Sequence, residues 1–102
     1  MKKKIKKFIK IMYSLDMGIF INIISKSFAR FLGCRVTSEE PTLALVKYEP
    51  VKLVGKTHIL LRLPKSKRKL GKFTKIECAV AENSKYNITL ARSSQVTLRL
   101  YP

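Results

Sequence analysis

The sequence predicts an α+β fold: a split β-α-β arrangement whose four-stranded, mainly antiparallel sheet carries helices on one face and extends one long basic hairpin. Three observations predict it. From Met17 to Leu32, Phe20, Ile23, Ile24, Phe28 and Phe31 cover one side of a helical projection, while Asn22, Ser25, Lys26 and Arg30 form a polar stripe. Short segments rich in β-branched and aromatic residues flank that stretch on both sides. Two of them, 57–63 and 73–81, bracket the run from Leu61 to Phe73, in which six of thirteen residues are cationic and none is acidic.

Taken in order, Lys4 to Ser14 reads as an opening strand, although Ile5, Phe8, Ile9 and Met12 also keep helical spacing. Leu15 and Asp16 form a turn, with Asp16 as N-cap of the helix over 17–32 and Gly33 as its stop. Lys26 and Arg30 fall in its last turns, where the helix dipole favours cations. Thr37 to Pro41 reads as an exposed connection. Strands over 42–48 and 51–63 follow, interrupted at Glu49 and Pro50, because a proline removes a ladder donor. Pro64 and Gly71 punctuate the basic turn, and 73–81 is the return strand. After a break at Asn83 and Ser84 comes a short helix to about Ala91, and Gln95 to Tyr101 closes the sheet with Val96, Leu98 and Leu100 on one face.

The chain has 102 residues, room for a single domain spanning 1–102. Within it the sequence predicts a basic tail over 1–4 and an extended hairpin over 57–81 with its tip at 62–72. Twenty-two cations face six carboxylates, for a net charge of +16, and the natural partner of such a chain is a polyanion. At 46% hydrophobic it is too apolar for a disordered basic tail, so a folded domain is expected.

No nucleophile and base pair, acid pair or ligand cluster is visible, which argues against an enzyme and implies neither cofactor nor small-molecule substrate. Cys34 and Cys78 are too far apart in sequence for a zinc ribbon or a redox pair. His58 reads as an ordinary strand residue. Gly55-Lys56-Thr57 is not a phosphate-binding loop, since Pro50 stands where the first glycine belongs and a strand follows. The stretch Leu15 to Leu32 holds Asp16, Asn22, Lys26 and Arg30, too polar for a bilayer span. Arg62, Lys65, Lys67, Arg68, Lys69 and Lys72 are the expected phosphate-binding cations, the two arginines through bidentate contacts and the lysines as point charges. Lys2, Lys3 and Lys4, with Lys6 and Lys7, are either a second polyanion contact or a disordered solubilising tail. Tyr13, Tyr48, Phe73, Tyr86 and Tyr101 are open to two readings, base stacking or cross-strand packing.

Three passages carry a resemblance. Phe8 to Asp16, Phe-Ile-Lys-Ile-Met-Tyr-Ser-Leu-Asp, is similar to the first strand and helix start of the small-subunit ribosomal protein ten family. Ile59 to Phe73, with Leu61, Arg62, Pro64, Lys67 to Lys69 and Phe73, resembles that family's signature of a strand, a Lys/Arg-rich turn and a restart at Phe. Gln95 to Tyr101 resembles its closing strand. The chain departs from the pattern at Leu63, Leu70 and Gly71, has a longer connection between Gly33 and Arg62, and is shorter after Phe73.

The resemblance implies a ferredoxin-like sheet and a structural constituent of the small ribosomal subunit, with a hairpin reaching ribosomal RNA and neighbouring head proteins. The departures from the family pattern favour a mitochondrial ribosome, and a first strand expected from about residue 5 an organelle-encoded gene, with a plastid or the bacterial cytoplasm as the other settings. Two rivals come from other classes. Lys2 to Leu32 as one basic amphipathic helix would make a membrane-surface protein. A disulfide between Cys34 and Cys78 would fit an immunoglobulin-like module.

Overall fold

The computed structural model describes residues 12–16, 18–62 and 73–97. Its elements are β1 (Tyr13–Leu15), β2 (Asn22–Ser25), α1 (Lys26–Leu32), β3 (Thr37–Val46), β4 (Glu49–Leu61), β5 (Thr74–Ala81), β6 (Ile88–Leu90) and α2 (Arg92–Thr97). The strands make one six-stranded mixed sheet in the order β1-β6-β2-β5-β4-β3. This overturns the expected four-stranded ferredoxin-like sheet, and the difference arises in two places.

The first is the stretch read as one long helix. Asn22 to Ser25 are all buried, and they form a central strand parallel to β5 and antiparallel to β6. A short apolar run buried on both faces has no period that separates strand from helix, so tertiary pairing decides. Ile23 and Ile24 face opposite sides of the sheet, in separate core clusters. The helix begins only after Ser25, whose extended backbone and side-chain oxygen, accepting from Phe28 N at 3.1 Å, make it the N-cap. Gly33, at φ 72°, ends the helix in the left-handed conformation, and Cys34 N–H donates back to Ala29 O at 3.0 Å. Asp16 caps no helix. Its Oδ1 accepts from Gly18 N and its Oδ2 from Lys47 N, so it ties the β1–β2 connection to the β3–β4 turn.

The second is the C-terminal part. Residues 82, 83 and 85–87 form bends, and the expected helix there is replaced by β6, inserted between β1 and β2. Where the closing strand was expected, α2 begins at Arg92. Gln95 explains the change: its N–H donates to Ala91 O at 3.0 Å and its Nε2 to Leu90 O at 2.9 Å, so it closes a helical turn and covers a strand-end carbonyl at once. The rest of the expected closing strand, 98–101, lies outside the described residues, as does 4–11 of the opening one.

Thr37 to Pro41 belongs to β3 and is not a loop; it forms an exposed edge strand with a register shift between Ser38 and Thr42. The β3–β4 turn falls at Lys47 and Tyr48, both at positive φ (51° and 67°). Pro50 sits within β4 opposite Leu45, in a part of the strand that pairs only with the edge strand β3, where a missing donor is tolerated.

The core has two sides. Phe28 and Ala29 of α1 pack on Ile24, Ile59, Ile76, Cys78, Val80, Ile88 and Leu90. On the other face the outer part of the β3–β4 hairpin curls over the sheet, placing Val46 and Val51 on Ile23 and Ala81. The curl follows a second register shift, between Leu53 and Gly55. Gly55 is required there, because a Cβ would stand 2.6 Å from Thr37 O and 3.0 Å from Val36 Cγ1. Cys34 and Cys78 are thiols, not a disulfide, and one mixed sheet stands in place of the two packed sheets of an immunoglobulin-like module. The strands within 13–25 likewise replace the single amphipathic helix of the membrane-surface reading, and among the described residues no helix is long and apolar enough to cross a membrane.

Candidate nucleic-acid interface

β4 and β5 pair antiparallel from Leu53↔Ala81 to Leu61↔Thr74 and bracket the basic run. Residues directly opposite each other share a face. Thr57↔Cys78, Ile59↔Ile76 and Leu61↔Thr74 turn to the face covered by α1, and Thr57 Oγ1 is satisfied there by Arg35 O at 2.7 Å. Lys56↔Ala79, His58↔Glu77 and Leu60↔Lys75 turn to the other face. The curled hairpin covers that face only near Ala81, so towards the basic run it stays open: Leu60, Phe73 and Lys75 are exposed.

Of the expected site residues, Arg62 is described. It leaves the end of β4 with its guanidinium carbon 4.9 Å from the centroid of the Phe73 ring, a cation–π stack that closes the neck of the hairpin. Lys65, Lys67, Arg68, Lys69 and Lys72 lie outside the described residues, as do Lys2, Lys3 and Lys4. β1, which follows the N-terminal lysines, runs parallel to β6, hence opposite to β5. The two basic segments therefore join the sheet at opposite ends. Among the aromatic candidates, Tyr86 lies under the Lys47 ammonium at 5.5 Å, and Tyr48 projects from the β3–β4 turn; Tyr101 is outside the described residues.

Charge is unevenly divided. All six carboxylates lie among the described residues with ten of the 22 cations; the other twelve cations fall in 1–11, 63–72 and 98–102, without a carboxylate. The described body also pairs three of its acids with lysines, Glu82 with Lys52 at 3.3 Å, Glu39 with Lys56 at 3.6 Å and Glu49 with Lys85 at 2.8 Å, and sets Glu77 3.4 Å from His58 Nε2. Such exposed pairs are screened by solvent, so their main effect is on the field, not on stability. The Glu49 carboxylate, hydrogen-bonded to Lys85, holds that ammonium above its ordinary pKa. Cys78 is a core thiol; burial, with Cys34 and Glu77 nearby, raises it to about 12. No cluster of three or more His, Cys, Asp or Glu able to hold a metal occurs among the described residues.

Sequence reasoning missed Phe20, Leu60 and Lys75. Phe20 was assigned to a buried helix face and is 100% exposed, on the connection between β1 and β2. It lines a cleft of 380 Å³ with Thr74, Lys75 and Glu77 of β5 and Ser93 and Ser94 of α2. The alternation Lys56, His58, Leu60, Arg62 was a signal that one face of β4 is open.

Together these features define a small mixed-sheet domain with one open apolar and cationic face beside a basic hairpin. No protein-family model, no curated protein and no solved structure matches the chain.

Proposed function

We propose that this protein is a structural RNA-binding protein that carries cations to the phosphate backbone on the hairpin of β4 and β5. The observation that supports this best is the division of charge. The described body holds all six carboxylates, three of them paired with lysines, and ten cations, while the other twelve cations fall in sequence segments that contain no carboxylate, one of them between the paired strands β4 and β5. A net charge of +16, with basic runs that carry no acids of their own in sequence, favours an external polyanion. Ribosomal RNA of the small subunit, in a mitochondrial ribosome, is the partner that the resemblance of 59–73 favours. The sheet argues against the wider family resemblance, so this setting rests on that segment and its charge.

Two measurements test the proposal. Replacing Lys67, Arg68 and Lys69 by Gln should flatten the dependence of log affinity on log salt by about 2, at roughly 0.7 per lost phosphate contact with single-stranded RNA. An unchanged slope would mean that the hairpin is not the contact. Tagged protein should comigrate with small ribosomal subunits in a gradient; comigration with large subunits only, or with none, refutes the ribosomal setting and leaves RNA binding to the salt test.

A further inference from the structure

The cleft beside Phe20 is a gap in the sheet. β5 pairs with β4 along its whole length, but on its other side β2 begins only at Asn22, opposite Cys78. No described strand pairs with Thr74 to Glu77 on that side, so the edge of β5 forms one wall of the cleft. Its opposite walls are the β1–β2 connection, which contributes the Phe20 ring, and the start of α2, which contributes the hydroxyls of Ser93 and Ser94.

The cleft is held rigidly. Asn22, buried at its floor, donates from Nδ2 to Glu77 O at 3.0 Å and accepts at Oδ1 from Ala91 N at 2.9 Å, so one side chain fixes β5 to the segment that enters α2. The volume is at the lower end of the ~300–1,000 Å³ seen for small-molecule sites, and it suits one flat group better than a folded ligand. The chemistry around it is mixed: a phenyl face wholly in water, hydroxyls, a strand edge, the exposed Lys75 ammonium, and the Glu77 carboxylate, which faces His58 at 3.4 Å. On the same face of the sheet Lys75 adjoins Leu60, and the Arg62–Phe73 stack stands one cross-strand pair further along. Aromatic faces interleaved with cations, on a rigid sheet, suit a strand of nucleic acid whose bases are unstacked.

We infer that this cleft takes one unstacked nucleobase of a single-stranded RNA, its face on the Phe20 ring and the adjoining phosphate on Lys75. The inference rests on the RNA-binding reading above and adds a site that the hairpin cations do not contain. A duplex is excluded from the cleft, because its bases are held in their stack and present no free face.

The chain has no tryptophan, so Phe20→Trp creates a single fluorescent reporter at the cleft. Since Phe20 is fully exposed, neither Phe20→Trp nor Phe20→Ala should alter the thermal midpoint, which is checked first. A short oligouridylate should quench the Phe20→Trp signal, and a duplex RNA of equal length should not. Phe20→Ala should weaken oligouridylate binding roughly 5- to 150-fold, the range for one stacked base, with the salt slope unchanged. Lys75→Gln should lower that slope by about 0.7, one phosphate contact. Wild-type affinity in Phe20→Ala together with an unquenched Phe20→Trp overturns the cleft site and leaves the hairpin proposal standing. Absence of any salt-dependent RNA affinity in the wild-type protein overturns both.

Discussion

Asn22→Leu should destabilise the protein substantially, although it replaces a buried polar side chain by an apolar one of similar size. Asn22 is 7% exposed, and its amide makes two hydrogen bonds to backbone groups far away in sequence, Glu77 O at 3.0 Å and Ala91 N at 2.9 Å. Leucine leaves both without a partner and fills the space a replacement water would need. An unsatisfied buried backbone group costs about 1–3 kcal/mol, so at about 1.5 kcal/mol each the two cost about 3 kcal/mol; extra apolar burial returns about 1 kcal/mol, and the net loss is about 2 kcal/mol. For a domain of this size that lowers the thermal midpoint by roughly 8–16 °C. Thermal melts followed by circular dichroism, with urea titrations as a second measure, provide the test. A midpoint within about 2 °C of wild type would show that the two groups are satisfied without the amide, and the account of the cleft floor would fail.

Three further outcomes follow from the same geometry. Gly55→Ala places a methyl 2.6 Å from Thr37 O and should cost about 1–3 kcal/mol in urea unfolding; a neutral result would mean that the bend between β3 and β4 relaxes freely. Tyr48→Gly should stabilise by about 1 kcal/mol, because Tyr48 is held at φ 67° with a side chain 97% exposed, so the relief of left-handed strain outweighs any lost burial. Cys78 should resist alkylation in the native state. Because folding raises its pKa from 9.0 to about 12, the stability it contributes is complete below pH 9 and is lost between pH 9 and 12, at up to about 1.4 kcal/mol per unit. Cys78→Ala should therefore lose less stability than wild type across that interval, and identical profiles would contradict the shift.

What could be read from the residues depended on whether the deciding interaction was local. Strands at 57–63 and 73–81 were read from their composition, and the structure has β4 ending at Leu61 and β5 starting at Thr74. Gly33 as a helix stop was equally local, since a left-handed residue needs no distant partner. Ile21 to Ile24 could not be resolved in the same way. Their apolar run satisfies a helical face and a buried strand alike, and pairing with β5 and β6 decides between them. Ser25 carried a usable signal, an N-cap residue ahead of the helical stretch 26–32, but the assumed cap at Asp16 masked it. The alternation at Val96, Leu98 and Leu100 suggested a strand, whereas Gln95 anchors a helical turn to Leu90. For the site, the cations were legible as charge, while Phe20 was not, because its exposure follows from where β2 begins.

The sheet order also bears on how the protein is made. During synthesis β1 and β2 emerge first, yet every strand that flanks them, β5 and β6, is encoded near the other end of the chain. Only β3, β4 and β5 follow one another as sequential antiparallel neighbours, so they can assemble as soon as Ala81 is free. Until β5 and β6 arrive, Ile23 and Ile24 have no strand beside them, and the nascent chain must keep that segment from other partners. A chain released before Leu90 would keep β2 to β5 but lack the strand that joins β1 to β2, leaving β1 without a place in the sheet.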